Sequence, residues 1–304
     1  MLRRLGYVAI ALSIDASTNR TCRLANATPG RLRELGAANL AGLAEVLAFN
    51  VRSDVSLYRI SSQIIPFASH AAVHFPWWEE FGGDLRRLGD FILRHDLRVS
   101  MHPGQFTVLS SPDERTLAAS LRDIEWHVRF LDLLGVDSRH KVIVHLGGVY
   151  GDKVAALRRF AHTVRSLPLA WRQRLAVEND ERLYTVDDAL RAAAETGLPV
   201  VFDWLHHQLN PGRSGDASEA MARCFATWQG ERDGLPKVHF SSPQRGGRLG
   251  AHADWVDPEE FARFLRMAPP TDFDCMLEAK KKDLALFRLR RDMAALGWAI
   301  GQVA

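Results

Sequence analysis

VVFDWLHHQLNPG, residues 200–212, joins four residues suited to a buried strand to two histidines and then halts at Asn-Pro-Gly, which continues neither a strand nor a helix. The last of the four is an aspartate. A core strand that delivers Asp203, His206 and His207 to one spot either tolerates them or uses them. The rest of the chain repeats this plan. Short apolar runs occur at 5–10 (LGYVAI), 57–60 (LYRI), 98–101 (RVSM), 141–145 (KVIVH), 174–178 (RLAVE), 199–203 (PVVFD), 237–240 (KVHF) and 274–278 (DCMLE). Amphipathic segments separate them at 29–49, 79–95, 113–134, 151–166, 185–196, 216–228 and 257–267, and a last one at 283–297 closes the chain. Several open on cap signals, among them Thr28-Pro29, Ser111-Pro112-Asp113, Thr185 and Asp257-Pro258.

Eight β/α units with no linker between them predict a single (β/α)8 TIM barrel spanning 1–304. A doubly wound open sheet is the competitor, but it usually carries a Gly-rich phosphate loop after its first strand, and SIDASTNRTCRLAN stands there instead. The length of 304 residues, 47% hydrophobic and 25% charged, suits a soluble globular protein. A net charge of +3 with a pI near 8.9 hints at an anionic partner. Cys22, Cys224 and Cys275 lie far apart, which argues against a disulfide framework and suits a reducing cytoplasm. The N-terminal MLRRLGYVAIALSIDAS mimics a signal peptide, but its apolar part is short and no cleavage site follows, so it reads as a buried first strand. No segment has the length of a membrane span.

Active sites of such barrels lie at the C-terminal ends of the strands. The expected ends carry His102, His145, Glu178, Asp203 (with His206 just beyond), His239 and Glu278, while His70 and His252 follow the second and seventh strands. One histidine beside a strand is ordinarily a hydrogen-bonded structural residue. Several imidazoles and three carboxylates facing one pocket are another matter, because they are ruinous to desolvate without cations. The set has nitrogen and oxygen donors and no sulfur, which suits Zn²⁺, Mn²⁺ or Fe²⁺, and exceeds what one ion can take, so two or three divalent metal ions are expected. Lys237 precedes His239 by two residues, so both side chains enter the barrel. An ammonium beside divalent ions is unfavourable, which leaves a neutral amine or a carbamate.

Taken in order, LGY, NRTCRLAN, IIPFASH, SMHPGQF, VHLGGVYGDK, VENDE, FDWLHHQLNPGR, KVHFSS, GAHADWV and LEAKKKD resemble the motifs of the UV damage endonucleases, DNA repair enzymes with a TIM-barrel fold. A more distant likeness is to the trinuclear-metal AP endonucleases. The resemblance implies nicking of damaged double-stranded DNA immediately 5′ to a UV photoproduct, with Mn²⁺ as the usual metal. It implies that His102, His145 and Glu178 hold one ion, with His70 close by. Glu178 would bridge to a second ion on Asp203, His239 and Glu278, and His206 and His252 would hold a third. It favours the carbamate at Lys237. Tyr7, Gln105 and Phe106 fall at lesion-probing positions, and since the family often has tyrosine where Phe106 stands, stacking is implied there but not a hydroxyl contact. Arg20, Arg23, Lys153, Arg213, Arg245, Arg248 and the run Lys280-Lys281-Lys282 are candidates for phosphate contacts. A cytoplasmic monomer without an obligatory protein partner is expected. The rivals are a metal-dependent sugar isomerase or epimerase on the same barrel, and a lesion-binding protein that does not cut.

Overall fold

The computed structural model describes residues 1–213 and 215–300. Its inner wall is formed by β1 (Leu2–Ala9), β2 (Leu57–Ile60), β3 (Arg98–Ser100), β4 (Val142–His145), β5 (Leu175–Glu178), β6 (Val200–Asp203), β7 (Lys237–Phe240) and β8 (Phe273–Leu277). All pairings between these strands are parallel, in the order β3-β2-β1-β8-β7-β6-β5-β4. Met101 bridges to Val142 and completes the ring. This is the (β/α)8 barrel that the spacing of the apolar runs predicts, with helices between the strands. The 79–95 segment divides into two helices, Trp77–Glu80 and Gly82–Arg94. Three short helices escape the sequence pattern: Leu169–Arg174, Trp204–Leu209 and Gly230–Asp233. Each is under two turns, too short for a helical period to show.

Strand alternation decides what each residue does. Tyr58 and Ile60 on β2 join the large core between strands and helices, whereas Leu57 packs inside the barrel with Val8 and Met276. Counting by twos from the strand ends places Ser100, Ile143, Ala176, Val201, Lys237 and Met276 directly beneath His102, His145, Glu178, Asp203, His239 and Glu278. Lys237 is the one charged residue in that layer.

The opposite end of the barrel is stapled by buried ion pairs. Arg98 donates to Asp274 Oδ2 at 2.8 Å and to the carbonyls of Leu235 and Asp233, both at 2.7 Å. Lys141 Nζ donates to Asp233 Oδ1 at 2.6 Å. Among the described residues no helix is long and apolar enough to cross a membrane. Asp274→Ala leaves the Arg98 guanidinium buried without its anion, so it should destabilise the fold by about 3–5 kcal/mol. Urea unfolding midpoints of the variant and the parent measure this, and a loss below 1 kcal/mol would show that the pair is not a staple.

Candidate metal centre

At the C-terminal mouth of the barrel lies a cavity of 1030 Å³ whose wall includes Val8, Arg59, Gln105, His102, His145, Glu178, His206, His252 and Glu278. Parallel strands in register bring these side chains to one level: His145 pairs with Glu178 across β4 and β5, and Asp203 with His239 across β6 and β7. Glu178, 1% exposed, lies at the centre. Its Oε2 is 3.0 Å from His102 Nε2 and its Oε1 is 2.8 Å from His239 Nδ1. One donor atom from each of His102, His145 and Glu178 lies within 4.8 Å of the others, and the same holds for Glu178, Asp203 and His239. Glu178 belongs to both groups.

Around this pair of triads the remaining candidates stand in two positions. Glu278 Oε1 lies 3.3 Å from His239 Nδ1, which places it beside the second triad. His206 and His252 face each other with ring centroids 6.3 Å apart. Their Nδ1 atoms lie 2.9 Å from the carbonyl oxygens of Asn179 and Glu278, and His102 Nδ1 lies 3.0 Å from that of Pro103. A carbonyl only accepts, so in each ring Nδ1 carries a proton, and Nε2 is the atom left to ligate a cation once it carries none. Asn179 fixes Asp203 by bonding both its backbone N–H and its carbonyl. Asp203 Oδ1 accepts from the His206 N–H at the start of Trp204–Leu209, while Oδ2 is buried with no hydrogen-bond partner among the described residues. His145 Nδ1 and His239 Nε2 are buried without a partner too. A carboxylate oxygen and ring nitrogens left this way are costly unless cations ligate them, so the residues present fit divalent ions.

The charges are mutually adjusted. Burial works to raise the Glu178 carboxyl, but His239, His102 and His145 hold it well below the usual range. Burial, with Glu178 and Glu278 nearby, pushes Asp203 up to about 6. Burial works to lower His206, yet Asp203, Glu178 and Glu278 carry it up to about 9. Burial, aided by His102, takes His145 down to about 4. Arg59, unforeseen from sequence, reaches up from β2 and donates to Glu278 Oε1 at 2.5 Å. With His239 it keeps that carboxyl ionised against its burial. The signal was present in LYRI, where Arg59 shares the inward face with Leu57. Glu181, also unforeseen, lies with its Oε2 3.7 Å from His206 Nε2.

Two expected residues are placed elsewhere. His70 is exposed and lines a separate hollow with His74, Trp77 and Trp126 rather than the cavity. Its loop after β2 turns outward over the helices. Tyr7 is wholly buried and donates to Asn50 Oδ1 at 2.6 Å, so it does not probe a ligand in the cavity. Alternation is the reason: Val8 faces inward, and Tyr7 therefore points at the helix Pro29–Arg52. Lys237 enters the barrel with His239, wholly buried one layer beneath it, and its Nζ has no hydrogen-bond partner among the described residues. Burial, with Arg98, Arg59 and Lys141 nearby, holds its ammonium well below the ordinary lysine range. Gln105 lines the cavity, and Phe106 beside it is 73% exposed. Arg20, Arg23, Arg213, Arg245 and Arg248 are exposed on loops that follow β1, β6 and β7. Lys153 is tied to Asp188 at 3.0 Å. His207 turns away from the cavity, its ring 5.1 Å from that of Phe202.

A barrel of this type gathers, at its C-terminal mouth, buried histidines and carboxylates that could hold metal ions. Residues 3–300 match the model of the family described as UV-endonuclease UvdE. The chain belongs to that family. It is 36% identical over 307 residues to the UV DNA damage endonuclease of Bacillus velezensis (strain DSM 23117 / BGSC 10A6 / LMG 26770 / FZB42), covering 97% of this chain and 95% of that protein. The crystal structure of SacUVDE superposes with a TM-score of 0.90 at 31% identity, covering 97% of this chain and 99% of that one. An L-ribulose 3-epimerase matches at 18% identity and a TM-score of 0.57, covering 97% and 86%, which is a likeness of fold alone.

In the metal-free protein His206, raised to about 9, is an imidazolium at neutral pH, and a metal needs it neutral. Divalent metal binding should therefore release a proton, and affinity should climb as pH rises towards 9 and fall further below about 6, where Asp203 protonates. Calorimetric Mn²⁺ titrations in buffers of differing ionisation enthalpy detect the proton. Heats independent of buffer would contradict the assignment.

Proposed function

We propose that the chain is an endonuclease that nicks damaged double-stranded DNA immediately 5′ to UV photoproducts, cyclobutane pyrimidine dimers and 6-4 photoproducts alike, by metal-dependent phosphodiester hydrolysis. The observation that carries this reading is the carboxylate of Glu178, shared by two ligand triads at the floor of a wide cavity, in a member of the UvdE family. The names of its relatives supply the substrate class.

On this reading His102, His145 and Glu178 hold one Mn²⁺, and Glu178, Asp203, His239 and Glu278 hold another. His206 and His252 hold a third. Such ions, when bound, activate water at neutral pH and neutralise the charge that grows on a phosphate under in-line attack. The chain's own residues arrange the rest. Arg59 keeps Glu278 ionised and oriented. A photoproduct is poorly stacked and weakly paired, so extruding it costs less than extruding normal bases. Gln105 and Phe106 fill the space left behind: the amide pairs with orphaned purine edges and the ring stacks for about 1–3 kcal/mol. The arginines of the surrounding loops neutralise backbone phosphates, with Lys153 first giving up Asp188. The protein acts as a monomer.

Lys237 carries a carbamate on this reading. A neutral amine is the form that adds CO₂, and the product anion is compensated by Arg98, Arg59 and Lys141, the cations that disfavour an ammonium there. Native mass spectrometry should find one CO₂ beyond the sequence mass, absent in Lys237→Ala. An unmodified parent protein that is fully active would remove the carbamate from the reading.

The main test is nicking of UV-irradiated supercoiled plasmid. Mn²⁺ should support it, EDTA should stop it, and unirradiated plasmid should survive. Glu178→Gln keeps the shape but removes the shared charge, so it should lower turnover at least about 1000-fold, as should Asp203→Asn. Near-parental turnover by Glu178→Gln with full metal content would overturn the shared-ligand assignment.

A further inference from the structure

The loop after β7 is an organised arm. Pro243 and His252 form an antiparallel bridge, the Gln244 N–H donates to the Ala251 carbonyl at 2.8 Å, and the Ala253 N–H donates to that of Ser242 at 2.9 Å. Within it, Gly247 N–H donates to Gln244 O and Ala251 N–H to Arg248 O, and Gly246 and Gly250 adopt φ of 70° and 77° to make the turns. The arm is pinned at its base, where Lys280 Nζ donates to Gln244 Oε1 at 2.7 Å. At its tip it leans on the loop after β5: a Cβ added to Gly250 would meet Glu181 Cγ at 2.8 Å. This geometry presents Leu249, which lines the cavity while remaining 59% exposed. Arg245 and Arg248 flank it, both exposed.

An exposed apolar side chain on a short pinned hairpin that also carries two exposed arginines has the makings of a wedge with phosphate grips beside it. Its position in the ring adds the second argument. β7 is four strands from β3 in either direction around the closed barrel, so the two are diametrically opposite. Phe106 rises from the loop after β3 and is 73% exposed, its ring laid against Gly104, where an added Cβ would meet it at 2.4 Å. A duplex crossing the mouth therefore meets two exposed apolar side chains on loops rooted in opposite strands, Leu249 on the cavity wall and Phe106 next to the cavity-lining Gln105.

We infer that Leu249 is a second intercalating side chain, entering the base stack of a damaged duplex from the side opposite Phe106. The inference rests on the DNA-cutting reading above. Two wedges on opposite walls open the stack on both sides of the cavity, so the stretch between them is unstacked on either flank while Arg245 and Arg248 grip the adjacent backbone. One wedge would kink a single step and leave the other flank stacked.

The test uses the metal-loaded protein and a duplex with one thymine dimer, a methylphosphonate at the linkage 5′ to it to block cutting, and 2-aminopurine on one flank or the other. The parent should brighten the probe on both flanks. Leu249→Ala should lose the signal on one flank only and bind roughly tenfold more weakly, whereas Phe106→Ala should lose it on the other. Leu249→Met should restore most of the signal, and an unchanged melting temperature should show that an exposed leucine was not holding the fold. If the parent nicks irradiated plasmid and Leu249→Ala brightens both flanks with parental affinity, the second wedge is wrong and the endonuclease reading stands. If the parent neither prefers the damaged duplex nor nicks it, both fall together.

Discussion

A carboxylate with almost no solvent contact, Glu178, sets the terms for the rest of the site. Taken from water, such a group demands cations around it, and the barrel supplies imidazoles from β4 and β7 and from the residue just past β3. Asp203 and Glu278 then add negative charge that the imidazoles alone do not balance, and His206 is driven to protonate in response. Arg59 answers for Glu278 alone. Positive charge of higher density is the remaining solution, and Asp203 Oδ2 is the open valence at which it is missing. The ligand chemistry follows from the burial of one acid.

Much of this was legible in the chain itself. Apolar runs recurring between amphipathic segments define the barrel, and reading which residue ends each run finds both triads. Those ends are governed by local rules. The losses came where a contact depends on which face a side chain takes, or on how a loop turns. Tyr7 stands at the expected depth on the wrong face, a difference of one residue that alternation reverses completely. His70 lies in a long loop whose path no period fixes. Arg59 was hidden by the opposite habit: a charged residue in a strand is read as solvent-facing, and here it points inward to a partner from β8's end. Arg245 and Arg248 of the arm after β7 stood out as candidates for phosphate contacts, but the hairpin pairing that carries them was not visible.

The interior is stratified, and each stratum has a separate task. Arg98, Asp274, Lys141 and Asp233 at one end hold the wall together and touch nothing of the cavity. The acids and imidazoles at the other end are arranged for a ligand, with groups left unpaired that a purely structural layer would satisfy. Between them small and apolar residues insulate one electrostatic system from the other, and among the described residues Lys237 is the charged side chain inserted into that insulation. It feels cations from below and lies directly beneath a metal ligand, so its protonation or modification is the point at which the two ends can influence each other.

The closure of the ring between β3 and β4 has a mechanical consequence. That seam is held by two backbone hydrogen bonds of Met101, one to Lys141 and one from Ile143, and by Val99, whose N–H donates to the side chain of His140 instead of to a strand. Burial, with Arg98 nearby, takes His140 down to about 3, so the ring stays neutral and able to accept. Few ladder bonds cross here, and a joint with few hydrogen bonds is where local opening costs least. His102 and His145 stand one on each lip of the seam, 4.8 Å between ring centroids. On the metal-dependent reading proposed above, an ion held by both would rivet this seam, so that loading the site would also fasten the scaffold.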